Sequence, residues 1–437
     1  MKHRLFERIL VGILLVVAAG IVVHAPLSVW LGTVWPHWAE VIKSWKELLM
    51  ALALVLFIVI AAQRKMVTVL LNDRLMQLSL FFVGIHFLMI AAFDNGLHSA
   101  GAGILIDLRY VLYFVLVYGT LRLFPQYRKL FLQVFVGGAV VVIGFALLQL
   151  FVLPKDILTH IGYSKATIVP YLTVDQNPNY IRINSTLRGP NPLGAYAVIV
   201  LSFLVAYAVK HGRRLQYNQR LWLGILAAIA GLIVGTSYSR SSMIGLIVAI
   251  IVTLAAVATA KARKQLLTTM VIAIVVVGGL IFAFRDNSVI SNVLLHDNPT
   301  GGSTVDSNAG HAESLVDGMK RFVVEPFGGG VGSTGSASIP TKAPLIIENQ
   351  YLFVAHEAGW AGLIVFVWLF VEVMKRLWQR RAGVLALAVF ASGCGLAVIG
   401  LLLPVWTDDT ISIIWWGLAA VAVSSPLGGL YGTRKSH

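Results

Sequence analysis

An all-α, polytopic transmembrane helix bundle of about twelve spans is what this sequence predicts, and three observations carry that prediction. Of 437 residues, 58% are hydrophobic and only 12% charged, with a mean hydropathy of +0.83. No soluble domain of this length sustains such a composition. The apolar residues fall in runs of about 20, the length that crosses a hydrocarbon core. The basic residues recur in alternate connections between those runs.

In order, the runs lie at roughly 9–31, 46–62, 75–93, 103–123, 130–153, 190–209, 221–236, 241–260, 267–284, 350–374, 382–403 and 411–428. The first, Ile9 to Leu31, resembles a signal peptide in length. It lacks a small-residue cleavage site and is followed by many further runs, so it reads as a retained span. With the N-terminus in the cytoplasm, the inner segments carry Lys2, Arg4 and Arg8; Arg64, Lys65 and Arg74; Arg122, Arg128 and Lys129. Further along they carry Lys210, Arg213, Arg214 and Arg220; Lys261, Arg263 and Lys264; Lys375, Arg376, Arg380 and Arg381; Arg434 and Lys435. Every inner segment is then basic, as the positive-inside rule requires. The expected location is the plasma (inner) membrane, multi-pass, with both termini cytoplasmic. The formal charge of +15 is therefore a topology signal. Its basic groups are dispersed among short turns and form no stripe for nucleic acid; membrane lipids are the expected surroundings. The single cysteine, Cys394, excludes a disulfide framework and a cysteine-based metal site.

These runs divide the chain into spans one to five (1–153), a first outer loop (154–189), spans six to nine (190–284), a large outer loop (285–349), and spans ten to twelve with a cytoplasmic tail (350–437). Loops this long are uncommon unless they work. In the second, "HAESLVDGMKRFVVEPFGGGVG" places Leu315, Met319, Phe322 and Val323 at helical spacing before Pro326. An amphipathic helix over the outer mouth of the bundle is expected there. The glycine-rich stretch after it reads as a hinge, since the lysine of a phosphate-binding loop is missing.

Arginines stand where arginine is costly. Arg182 and Arg188 precede span six in "YIRINSTLRGPNPLGAYAVI", and Arg240 sits in the short turn "GTSYSRSSMIGL" before span eight. Guanidinium presents a rigid fork of donors suited to phosphate oxygens. Around Asn191, Gly189, Pro190, Pro192 and Gly194 form a tight turn at a helix start, where free N–H groups favour an anion. One such arginine is explained by snorkelling to lipid headgroups; three together, flanked by Ser239, Ser241 and Ser242, favour an anion site. At the entrance to span ten, "IIENQYLFVAHEAGWAG" carries Glu348, His356 and Glu357. Glu348 suits either a general base or a cap for the helix dipole. His356 suits either a second catalytic group or a hydrogen-bonded interior histidine. Asp107 and Arg109, two apart on span four, face different sides and each needs a partner on another helix. No HExxH or DxD-like pair occurs, so no metal is expected.

The ordered blocks "RINSTLRGPNPLGAY", "TSYSRSSMIGL", "HAESLVDGMKRFVVEPFGGGVG" and "ENQYLFVAHEAGWAG" resemble those of the O-antigen ligase/polymerase family. The resemblance implies a GT-C type, integral-membrane glycosyltransferase that is inverting, metal-independent and free of cofactors. Its donor would be a polyprenyl-diphosphate-linked glycan and its acceptor a glycan or glycolipid on the outer face. It implies that Arg182, Arg188 and Arg240, with Asn191 beside them, hold the diphosphate. It also implies that Glu348 or His356 deprotonates the acceptor. His311 stands where the family often has arginine, and is expected to touch phosphate. Glu348 stands where the family's ligases usually have histidine, with Gly359 eleven positions later; that favours a polymerase or a ligase with another acceptor. The competing expectation is a polytopic transporter or flippase of a lipid-linked or anionic substrate.

Overall fold

The structure, a computed structural model, describes residues 2–295, 307–341 and 343–424. Among the described residues, ten helices are long and apolar enough to cross a membrane. They are α1 (Arg4–Val34), α2 (Trp45–Gln63), α3 (Arg74–Ala92), α4 (Leu97–Leu123), α5 (Pro125–Phe151), α6 (Pro190–Arg214), α7 (Tyr217–Thr236), α8 (Arg240–Val257), α9 (Ala260–Ala283) and α11 (Gln350–Gln379). Between α9 and α11, α10 (Ser307–Val324) occupies the large loop. Two shorter apolar helices follow, α12 (Val384–Ile399) and α13 (Asp409–Val423). The protein is thus an all-α, multi-pass membrane bundle. The expected cytoplasmic tail beyond residue 424 and the loop residues 296–306 lie outside the described residues.

The shortest of these helices is the centre. Every residue of α13 is buried, as suits a helix apolar around its whole circumference. Trp415 and Trp416 pack edge to face at 5.3 Å between ring centroids, and Trp406 lies 5.1 Å from Trp415. Helices α4, α5, α6, α11 and α12 surround it. Where α8 crosses α12, a Cβ on Gly395 would stand 2.5 Å from the Gly245 carbonyl oxygen. Small residues let these backbones touch. Helix α9 buries none of its apolar stretch and lies at the periphery.

Two features of the backbone escape a reading by hydropathy. Residues 154–189 hold an antiparallel hairpin, β1 (Leu172–Val174) and β2 (Asn177–Arg182), turned by Asp175 and Gln176 at φ 46° and 61°. The segment after it is buried from Ile183 to Leu187, with Ser185 Oγ donating to the Val142 carbonyl at 2.7 Å. Helix α11 is also broken. Gly359 takes φ 66°, ψ −178°, a region open essentially to glycine, and the Trp360 N–H donates instead to the Pro326 carbonyl at 2.9 Å. Non-helical backbone at membrane depth is tolerated when protein covers it, and Gly359 is buried.

The cover is the glycine-rich stretch after α10, and it is a packed strap in place of the expected hinge. Asn95 Nδ2 donates to the carbonyls of Gly329 and Val331 at 2.9 and 3.1 Å. Glu357 accepts the N–H groups of Gly332 and Thr334 at 2.5 and 2.8 Å. A Cβ on Gly332 would come within 2.2 Å of the Ser99 carbonyl oxygen; the glycine is there for close approach.

Buried charges are paired between helices, as the cost of isolated charge demands. Asp107 lies 3.5 Å from His86 on α3, while Arg109 reaches Glu47 at 3.7 Å and Asp409 at 3.6 Å. Lys46 and His24 complete that cluster, each within 3.2 Å of Asp409.

Candidate active-site cleft

Helices α6, α8, α11 and α13 all start at one end of the bundle, because the odd connections between them return the chain to that side. Each start is capped or turned by its own sequence. Ser239 Oγ accepts the Ser242 N–H of α8, Asn349 accepts Tyr351 and Leu352 N–H of α11, and Asp408 accepts the Ile411 N–H of α13. Asn349, and not Glu348, is therefore the cap of α11, and the Glu348 carboxylate is spared that task. Of these starts, α6, α8 and α11 give Asn191, Arg240 and Glu348 to one region, a setting that favours anions.

A cleft of about 410 Å³ opens there, lined among others by Arg182, Asn191, Arg240, His311 and Glu348. Arg182 arrives from the last residue of β2. Its Nε donates to the Ser237 carbonyl at 2.9 Å and its Nη2 to Asn191 Oδ1 at 2.6 Å. Burial lowers its pKa to about 10, with Arg240 acting in the same direction, so the guanidinium stays charged at neutral pH. Arg240 opens α8, with Nη2 on Asn308 Oδ1 at 2.9 Å. Both arginines are held by two contacts and keep further N–H donors for a ligand. Gly194 permits the closeness of the two helix starts: a Cβ there would lie 2.6 Å from Ser242 Oγ. Tyr238, on the cleft wall, is held at φ 48° between buried Ser237 and Ser239. Non-glycine residues are kept in that region at a cost, commonly near working sites.

Opposite the arginines, His311 Nδ1 pairs with Glu348 Oε2. Their backbones are pinned by Ser314, whose Oγ accepts the Glu348 N–H at 3.0 Å and donates to the Ile346 carbonyl at 3.0 Å. The pairing with Glu348 raises the His311 pKa above its ordinary 6.5, against burial, which lowers it. Helix α10 turns this edge to the bundle together with the cleft-lining Leu315 and with Phe322, which packs on Trp360 at 5.5 Å between ring centroids; Met319 and Val323 of its apolar stripe are exposed.

No family model matches the chain, and no curated protein matches it either. The reading of the site therefore rests on its own geometry and on the four sequence blocks.

Of the residues singled out from sequence, five meet in this cleft: Arg182, Asn191, Arg240, His311 and Glu348. Two do not. His356 is buried under the strap, 3.2 Å from Glu325 Oε2 and with Gly329 against its ring. It serves packing at the break in α11 and lines no part of the cleft. Arg188 lines a neighbouring cleft of about 360 Å³ that shares only Asn191 and Leu403 with the first. Sequence reasoning passed over Asn308, Tyr238 and the 401–403 turn. Their neighbours in space come from other helices, and no spacing in the chain signals them.

Proposed function

We propose that this protein is a membrane glycosyltransferase that moves a glycan from a polyprenyl-diphosphate carrier to an acceptor sugar. It would act at the outer face of the plasma membrane, with cytoplasmic termini, as a ligase or polysaccharide polymerase like those of the O-antigen ligase/polymerase family. One observation carries this reading: a single cleft gathers Arg182, Arg240 and the Glu348–His311 pair among helix N-termini. Fixed guanidiniums suit a diphosphate whose charge grows as it leaves. Glu348 on Nδ1 leaves His311 Nε2 as the nitrogen that takes a proton, with the carboxylate orienting the ring.

The step balances without further parts. The acceptor hydroxyl gives its proton to His311 Nε2 while its oxygen bonds to the anomeric carbon. The bond from that carbon to the diphosphate oxygen breaks, and the electron pair leaves with the polyprenyl diphosphate. One displacement inverts the configuration. The departure from the family pattern supports this assignment: histidine is absent at 348 but present at 311, and the two side chains touch. The pair thus keeps one imidazole, supplied from α10.

A second reading, a transporter, draws support from the broken α11 and from the buried carboxylates Asp107 and Glu357. Purified protein given a defined polyprenyl-diphosphate glycan separates the two. Release of free polyprenyl diphosphate with a joined product supports transfer. Movement of intact carrier across proteoliposomes, with no product, supports the transporter. Lipid from a deletion strain then separates subtypes: linked single repeats indicate lost polymerisation, and linked long chains indicate lost ligation.

A further inference from the structure

We infer that the cleft around Arg188 is a second substrate site, which binds the sugar ring of the acceptor and not the carrier's diphosphate. This deepens the transferase reading and rests on it.

The first ground is the state of the three arginines. Arg182 and Arg240 are each held by two hydrogen bonds. Arg188 is exposed, and among the described residues it donates no hydrogen bond and forms no ion pair. Its donors are free for something that comes from outside. The second ground is charge. The first cleft sets two guanidiniums and an imidazole against one carboxylate. In the second, Asp408 lines the same wall system as Arg188, whose charge acts on its carboxylate. A carboxylate beside the one lining cation leaves the cleft close to neutral, which holds a diphosphate less well than the first cleft does and suits a ligand with hydroxyls. Asp408 Oδ1 takes the Ile411 N–H at 2.9 Å, while Oδ2 accepts nothing from the described residues. The Ser336 hydroxyl likewise has no partner among them. A sugar ring needs donors and acceptors together, and Arg188, Ser336 and Asp408 offer both. Phe353 and Ile339 supply an apolar wall for the ring's C–H face.

The third ground is the partition. Ile346 and Ile347 line the second cleft and Glu348 lines the first, so three consecutive residues form the divide. Asn191 borders both sides, and its Oδ1 is held by Arg182. A transfer reaction needs two substrates to meet at the base, and this wall is where the clefts adjoin.

The test compares Arg188→Ala with Arg240→Ala in full-length protein in nanodiscs. Binding of inorganic pyrophosphate is measured first. Transfer kinetics follow, with a defined lipid-linked donor and, as acceptor, the glycan fraction purified from a strain lacking this chain. Arg240→Ala is expected to weaken pyrophosphate binding about tenfold or more, and Arg188→Ala to leave it within about twofold, where tenfold corresponds to ~1.4 kcal/mol. Arg188→Ala should instead raise the acceptor KM about tenfold while kcat and the donor KM hold. Asp408→Asn, which keeps the helix cap, should raise the acceptor KM in the same way. Loss of pyrophosphate binding in Arg188→Ala equal to that in Arg240→Ala overturns the inference, as does an unchanged acceptor KM. Absence of transfer by the wild type sinks the transferase reading and the acceptor assignment with it, whereas the pyrophosphate comparison still reports whether Arg188 belongs to the anion site.

Discussion

At the scale of residues, the Glu348–His311 pair makes the most exacting demand. Its pairing raises the His311 pKa above 6.5, so the imidazolium is favoured and the free base forms only as pH climbs through the raised value. Transfer is therefore expected to rise with pH across that window. The ion pair's own contribution to stability is full below the ordinary pKa and is lost over the same rise. Glu348→Gln removes the carboxylate that orients the ring, so the activity limb should move down toward 6.5 and the rate should fall, while His311→Ala, which removes the base itself, should cost roughly 10²–10⁴-fold. A limb that instead falls with pH would make His311 a cationic phosphate contact and return the base role to Glu348. Arg240→Lys tests the other wall. Lysine keeps the charge and loses the planar fork, so pyrophosphate affinity should drop about tenfold with unaltered insertion. Undiminished affinity in an isothermal titration would leave Arg240 a partner of Asn308 only.

At the scale of elements, the existence of each helix was legible because a run of about 20 apolar residues has few other fates. The breaks were not. "HEAGWAG" continues the hydropathy of α11 without interruption, and what stops the helix at Gly359 is a carbonyl from Pro326, 33 positions back in the chain. The hairpin at 172–182 was hidden for a different reason: its turn residues are Asp175 and Gln176, lacking the usual glycine, and Pro178 argues against a strand. The amphipathic pattern of α10 was legible as a helix but not in its orientation. Its apolar stripe is split: Phe322 packs inward on Trp360 and Leu315 lines the cleft beside His311, while Met319 and Val323 stay exposed. Gly359→Ala would put a Cβ 3.1 Å from the Pro326 and Phe327 carbonyl oxygens at a φ that alanine avoids. A loss of about 1–3 kcal/mol is expected, read as a lower melting temperature in nanodiscs. Gly383→Ala, in extended backbone at φ −84° with its nearest neighbour 3.7 Å away, should leave the melt unchanged. Equal melting of both variants would mean that the break is not imposed by this glycine.

At the scale of the whole molecule, what a single sequence withholds is which helix neighbours which. Asp107 and Arg109 plainly needed partners on other helices, yet nothing in the chain pointed to His86, Glu47 or Asp409. The same gap separated Arg188 from the other two arginines, since its closeness to Arg182 in sequence does not survive the buried turn at 183–187. For orientation, by contrast, the chain does carry a signal, its charge, and the proposed topology rests on it. Three of the four helices that start at the clefts, α6, α8 and α11, end among Lys210, Arg213 and Arg214, Lys261 and Arg263, and Arg376 to Arg381. A helix of 20 residues spans about 30 Å, so these basic groups lie a membrane's thickness from the site. In the proposed orientation, which follows the positive-inside rule, the clefts would lie outside, where a lipid-linked glycan already translocated would meet them. Cysteine placed at Lys320, exposed on α10, in a Cys394→Ser background should react with a membrane-impermeant maleimide in intact cells. Cysteine at Asn218, exposed at the start of α7, should react only after lysis. The reverse pattern would turn the protein over, put the arginine cleft in the cytoplasm, and require a donor that has not yet crossed the membrane.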